Sequence, residues 1–289
     1  MINALLRTAR PKQWLKNVLV FAAPGAAGVL DQPRELLLTV ITFVAFCAAA
    51  SGIYFWNDIF DVESDRRHPT KRNRPIAAGE LSIGAARVAG VILPLAALGL
   101  SALTGRWQTV AVVGTYIALT VTYSVWLKRV AVVDMVTVAA GFVLRAAAGA
   151  VAVDVPMSRW FVLCIMFGSM FIVVGKRYAE LRNVGDEAGT RATLETYTIG
   201  YLQMVLAVSL GGALISYCVW AFETSALSAA DLPWYELSIV PMMTALFRYL
   251  LVLERGEGGA PEDVFTSDRV IQFLGLCWVI IYGVAVYAS

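Results

Sequence analysis

The strongest constraint on this chain is the recurrence of apolar runs about as long as a bilayer is thick. Residues 36–56 carry no charge at all, and about 20 such residues suffice for an α-helix to cross the hydrocarbon core. Runs of this kind are read at 14–30, 36–56, 83–103, 110–126, 132–153, 160–174, 199–222, 237–253 and 270–288. The first is the weakest, since it holds Pro24, Gly25 and Gly28; such breaks are tolerated where neighbouring helices cover the freed backbone groups. Only 15% of the residues are charged and 59% are hydrophobic, whereas a soluble domain carries about 25% charge. The expectation is an all-α membrane protein, a bundle of nine transmembrane helices with its N-terminus in the cytoplasm, forming a single domain over residues 1–289.

Cys47, Cys164, Cys218 and Cys277 lie inside apolar runs without CxxC or Cys/His spacing. They read as small buried hydrophobes, not as a metal cluster or disulfide framework. The first sixteen residues are basic and include Pro11, which does not fit a cleavable signal peptide.

The net charge of +2 says little, but its distribution is lopsided. With nine spans, one face receives Arg7, Arg10, Lys12, Lys16, Arg66, Arg67, Lys71, Arg72, Arg74, Lys128, Arg129, Lys176, Arg177, Arg182, Arg191, Arg255 and Arg269. The other receives Arg34, Arg106 and Arg159. Cytoplasmic loops are the ones enriched in lysine and arginine, so the first face is placed inside the cell and the C-terminus outside. Most acids sit on that same face, which suggests a polar site there.

The stretch NDIFDVESD at 57–65 is the most informative. On a helix, Asp58, Asp61 and Asp65 stand at i, i+3 and i+7, with Asn57 beside them. Like charges so spaced weaken a bare helix, whereas hard oxygen donors suit Mg²⁺, which takes one or two carboxylates with substrate phosphates and water. Asp58, Asp61 and Asp65 are therefore the candidate catalytic residues and, with Asn57, the candidate metal ligands. The basic run RRHPTKRNRP at 66–75 follows at once. Its cations either neutralise the acids or, with Mg²⁺ on the acids, turn to phosphate oxygens. His68, the single histidine, reads as a loop residue.

The run NDIFDVESD followed by RNRPIAAGEL resembles the first aspartate-rich signature of the UbiA superfamily of intramembrane prenyltransferases. Tyr123-Ser124 and Lys128 resemble the family's tyrosine–lysine element at the end of the fourth span. The resemblance implies a nine-helix enzyme that binds Mg²⁺ and a diphosphate. Aromatic prenyltransferases of that family carry a second aspartate-rich motif after the sixth span; here the place reads GKRYAEL at 175–181, with Lys176 and Arg177 where acids are expected. Together with PKQWLKN, HPTKR and LETY, this resembles the branch that transfers phosphoribosyl groups to a polyprenyl (decaprenyl) phosphate. That branch implies 5-phosphoribosyl 1-diphosphate as donor, the plasma membrane as location with the site facing the cytoplasm, a role in cell-wall arabinan synthesis, a homo-oligomer (a trimer) and no nucleic-acid partner. Candidate substrate contacts are Lys16, Asn17, Tyr54, Lys71, Arg72, Arg74, Tyr123, Lys128, Arg145, Lys176, Arg177 and Glu180. Glu180 reads equally as an i, i+4 partner of Lys176. Asp134 and Arg145 share a face of the fifth span, and Arg145 is either near the lipid phosphate or a structural tie. An aromatic prenyltransferase using a polyprenyl diphosphate is the alternative, and a transporter a more distant one.

Overall fold

The structure is a computed structural model, and it describes residues 1–182, 193–228, 231–256 and 260–287. Arg191, counted above with the basic face, lies outside the described residues. In chain order the elements are α1 (Ile2–Ala9), a 3₁₀-helix (Pro11–Phe21), α2 (Ala22–Ala26), α3 (Pro33–Phe60), α4 (Val62–Arg67), α5 (Ile83–Ala102) and α6 (Trp107–Val125). They continue as α7 (Val133–Val153), α8 (Arg159–Arg182), α9 (Ile199–Ser225), α10 (Trp234–Leu237), α11 (Ile239–Glu254), α12 (Pro261–Ser267) and α13 (Arg269–Tyr287). Short 3₁₀ turns at Lys71–Asn73, Leu127–Arg129 and Leu194–Thr196 complete the set. No β-strand occurs among the described residues.

Eight helices are long and apolar enough to cross a membrane: α3, α5 to α9, α10 and α11 taken together (Trp234–Glu254), and α13. They correspond to the second through ninth expected spans. The first expected span, 14–30, is instead the 3₁₀-helix followed by the five residues of α2. Arg10, at φ 54°, turns the chain sharply ahead of Pro11, and Pro24 offers no backbone N–H for a longer helix to use. Gly28 then closes the segment at φ 67°, a conformation that costs glycine nothing. Two other boundaries matter for the site. α3 runs four residues past the expected 56, which places Asn57 and Asp58 within it, and α8 runs past 174 to carry Lys176, Arg177 and Glu180 on helix rather than loop.

Local chemistry fixes several ends. Ser82 accepts a hydrogen bond from the Ala85 amide (3.2 Å) at the start of α5, and Thr198 from the Tyr201 amide (3.2 Å) at the start of α9. Each meets one of the orphan donors of a first helical turn. Pro33 opens α3 at the position where a missing N–H costs nothing.

The chain divides into two compact units. The first comprises Met1–Gly25, Val29–Lys128 and Leu144–Pro156. Its core gathers Val20, Phe46, Val113 and Tyr116 with alanines 45, 49, 97 and 148. The alanines are functional in packing terms: in lipid, helices associate through close van der Waals contact, and small residues permit it. Gly52 of α3 lies directly against the Pro94 ring of α5. The Trp56 indole donates to the Gly90 carbonyl at 2.9 Å. Gly149 meets the Val20 carbonyl so closely that no Cβ would fit, which seats the 3₁₀-helix against α7.

The second unit comprises Ala26–Gly28, Arg129–Val143 and Met157–Ser289. Met135, Phe171, Val174, Leu202, Leu206, Tyr249 and Leu253 form its core. An aromatic cluster of Tyr217, Trp220, Tyr235, Trp278 and Tyr282 sits apart from that core. Large apolar side chains stay exposed along the spans, Leu95 at 61% and Phe273 at 65% among them. That is the pattern of a multi-pass membrane protein, whose outer surface is solvated by lipid tails.

Candidate active site

The acidic stretch keeps helical register through a single break. Asp61 leaves helical geometry at φ −92°, ψ 2°, yet its amide donates to the Asn57 carbonyl (2.9 Å) and the Asp65 amide to the Asp61 carbonyl (2.8 Å). Asp58 and Asp65 therefore share one side, as the i, i+7 spacing predicts. Both are buried, at 2% and 3% exposure, while Asn57 and Asp61 are half-buried.

Buried carboxylates demand partners. Arg74 supplies one, its Nη1 donating to Asp65 Oδ2 at 2.7 Å and to Asp58 Oδ1 at 3.3 Å. The second is Arg10, which also donates to Asp58 Oδ1 and lays its guanidinium over the Tyr54 ring, 4.8 Å from the centroid. Arg10 appears above only as a topological charge. Nothing in the sequence marks it, because its reach to Asp58 depends on the left-handed turn before Pro11. Ser51 fixes that turn by donating to the Ala9 carbonyl (3.1 Å) and accepting from the Trp14 indole (3.1 Å).

The basic run folds back along the same stretch. Arg66 pairs with Glu63 at 3.0 Å, and Arg7 pairs with Glu80 at 2.6 Å while donating to the Asn73 carbonyl. His68 Nδ1 accepts from the amides of Thr70 (3.3 Å) and Lys71 (3.4 Å), which suits the loop role expected of it. Lys71 is half-buried and Arg72 exposed. Arg10 and Arg74 thus neutralise Asp58 and Asp65, and Arg66 neutralises Glu63.

Other expected contacts in the first unit are deeper. Lys16 is half-buried and donates to Gln13. Asn17 has no exposure; its amide nitrogen donates to Cys47 Sγ (3.2 Å) and its oxygen accepts from Arg145 Nε (2.7 Å). Arg145 also donates to the Tyr116 hydroxyl at 2.9 Å and stacks over that ring at 4.7 Å. Its side-chain ties to Asn17 and Tyr116 lie within the core of the first unit. Tyr123 and Lys128 are half-buried around the end of α6.

In the second unit, Lys176, Arg177 and Glu180 fall on the last turns of α8. Arg177 is 2% exposed, donating Nε to Asp134 (3.2 Å) and Nη1 to Glu180 (3.1 Å). Arg177 is thus an i, i+3 partner of Glu180, on the same helix as the Lys176 that sequence spacing offers at i, i+4. Asp134 also accepts from the Tyr197 hydroxyl at 2.6 Å. Burial and that bond to Asp134 push the Tyr197 phenol above its ordinary range, so it stays protonated and donates. A small cavity lined by Val252, Asp263, Val264, Ser267 and Asp268 holds none of the expected site residues.

Among the described residues, no three His, Cys, Asp or Glu side chains converge as a preformed metal cage. Asn57, Asp58, Asp61 and Asp65 offer oxygens along one stretch of chain, with Asp58 and Asp65 close enough to share Arg74 Nη1, and hard oxygens with few protein ligands are what Mg²⁺ accepts.

Residues 18–280 match the UbiA prenyltransferase family. The chain belongs to that family. Its similarity to decaprenyl-phosphate phosphoribosyltransferase of Corynebacterium glutamicum is 45% identity, covering 99% of this chain and 88% of that protein. With the protein of that name from Mycobacterium tuberculosis it is 41% identical, over 99% of this chain and 95% of the relative. In structure it resembles a UbiA homolog from Archaeoglobus fulgidus bound to GPP and Mg²⁺, with a TM-score of 0.72 at 16% identity, covering 99% and 100% of the two chains. That likeness establishes the UbiA fold. The UbiA family match runs through both compact units and takes in the acidic stretch and the α8 cations alike.

Proposed function

We propose that this protein transfers the 5-phosphoribosyl group of 5-phosphoribosyl 1-diphosphate to decaprenyl phosphate and releases diphosphate. The observation that carries this is near full-length identity of 45% to a decaprenyl-phosphate phosphoribosyltransferase. The basic α8 run supports it: a donor with a diphosphate and a 5-phosphate, and an acceptor with a further phosphate, call for more protein cations than an allylic diphosphate does.

Asn57, Asp58, Asp61 and Asp65 would hold Mg²⁺, which when bound offsets charge on the departing diphosphate. Arg10 and Arg74, resting on Asp58 and Asp65 in this structure, are then available to phosphate oxygens, for which the guanidinium fork is well matched. Lys16, Asn17, Lys71, Arg72, Lys128, Arg145, Lys176 and Arg177 are the remaining candidate phosphate contacts, with Tyr54, Tyr123 and Glu180 for ribose or phosphate hydrogen bonds. The bond from ribose C1 to the diphosphate oxygen breaks with its electron pair on the diphosphate, leaving oxocarbenium character at C1 as in glycosyl transfer. A decaprenyl phosphate oxygen attacks from the opposite face, giving inversion. A phosphate monoester is already largely ionised at neutral pH, so no side chain has to remove a proton.

We place the protein in the plasma membrane as one transferase domain with the basic loops and the site facing the cytoplasm, feeding cell-wall arabinan precursors, as a homo-oligomer. The 3₁₀-helix and α2 supply the ninth crossing. Eleven and five residues, at about 2.0 and 1.5 Å each, extend about 30 Å, the thickness of the hydrocarbon core.

The deciding experiment gives purified protein radiolabelled 5-phosphoribosyl 1-diphosphate and decaprenyl phosphate, with Mg²⁺ or with EDTA. Metal-dependent label in the lipid phase is expected. Unlabelled lipid, together with prenylation of an aromatic acid from a polyprenyl diphosphate, would replace this reading with the aromatic prenyltransferase.

A further inference from the structure

The second unit contains a polar cluster whose centre has no part in the mechanism above. Asp134 lies in the first turn of α7 with no solvent exposure. Its Oδ2 accepts from Arg177 Nε at 3.2 Å and from the Thr193 hydroxyl at 3.4 Å, and its Oδ1 from the Tyr197 hydroxyl at 2.6 Å. The Tyr197 oxygen in turn accepts the Val132 amide at 2.5 Å, at a residue with φ 70° immediately before α7. A β-branched residue holds that conformation only where its surroundings impose it.

Burying a carboxylate and a guanidinium this completely costs hydration that their pairing often does no more than return, so a packed apolar pair would serve a helix contact as well. What the ion pair adds is geometry. Arg177 is gripped at Nε by one helix and at Nη1 by Glu180 of its own. Asp134 is itself fixed by two hydroxyls from the segment leading into α9.

We propose that Asp134 is a positioning residue for the phosphoribosyl donor. It fixes the Arg177 guanidinium through Nε, and through Arg177 the Glu180 carboxylate, so that these two groups meet the donor in one arrangement. The role rests on the phosphoribosyl-transfer reading above. Tyr197, from the LETY run, sets the carboxylate and belongs to the same device.

The test uses the purified full-length protein, Asp134→Asn and Tyr197→Phe. It measures kcat, the KM of each substrate, donor binding by calorimetry and thermal stability. Asparagine keeps the size and an acceptor oxygen but drops the charge. Asp134→Asn is expected to raise both the KM and the Kd of 5-phosphoribosyl 1-diphosphate about tenfold, the lower end of what supporting contacts are worth, while the decaprenyl phosphate KM stays put. Tyr197→Phe keeps the ring stacked on Tyr201 and should raise the donor KM about threefold, the worth of one hydrogen bond. Unchanged donor KM and Kd in Asp134→Asn would overturn the proposal, as would equal loss for both substrates with reduced thermal stability, which is a purely structural role. Should Asp134→Asn fail to fold, Tyr197→Phe decides by the same split between donor and acceptor. A wild-type protein that neither binds the donor nor transfers its ribosyl group sinks the functional reading itself, and the proposal with it, before any variant is compared.

Discussion

Asp58 and Asp65 show how a single arginine tunes a pair of acids. Arg74 Nη1 bridges both carboxylates, and with Arg10 it offsets repulsion that two buried like charges would otherwise exert. Removing either carboxylate takes away a proposed metal donor and an acceptor of Arg74, so Asp58→Asn or Asp65→Asn should lower phosphoribosyl transfer by about 10²-fold or more, the usual effect of deleting one electrostatic contact in an active site. Full activity in both variants would refute the placement of the site. Lysine at position 74 keeps the charge but cannot fork between two acids. Arg74→Lys is therefore expected to reduce activity and to lower stability by about 1 kcal/mol, since the pair is part-exposed and screened; denaturation midpoints would report it. Spacing alone placed the acids on one face, because helix periodicity is local. It could not reveal Arg10, whose contact with Asp58 spans 48 residues of chain.

At the scale of elements, helix ends and close approaches carry the testable energetics. Thr198→Ala deletes the side-chain cap of α9 and should cost about 1 kcal/mol. Gly149→Ala forces a Cβ into the Val20 carbonyl and should cost about 1–3 kcal/mol by overpacking, with displacement of the 3₁₀-helix; a melting midpoint equal to the wild type would contradict that close approach. Asp268 gives a pH signature. Its carboxylate accepts from the Ile271 and Val270 amides and from Arg248, and the Ile271 amide, with Arg248 behind it, holds its pKa below the ordinary range. A depressed folded pKa stabilises the folded state above the unfolded value of about 4, and that stabilisation is lost as pH falls through the folded value. Acidification from pH 6 to 3 should thus lower the melting midpoint of the wild type more than that of Asp268→Asn.

For the whole molecule, the number of crossings decides where the ends lie. If the 3₁₀-helix and α2 cross together with the eight apolar helices, the two termini are on opposite sides. Cysteines introduced near residues 3 and 287 should then label from opposite faces of sealed vesicles, the N-terminal one from the cytoplasmic side. Labelling of both from one side would leave eight crossings. Hydropathy made the eight long helices and the membrane class readable, because lipid imposes one requirement on each span independently: enough apolar length, with every backbone bond made inside it. Register of charge on a helix was equally readable. Partner choice was not. That Arg177 turns to Asp134, 43 residues away, that Asn17 and Arg145 close on each other in the core, and that the segment after Pro11 winds as 3₁₀ are decided by which helices pack together, since a buried charge takes whatever opposite group the packing brings within reach.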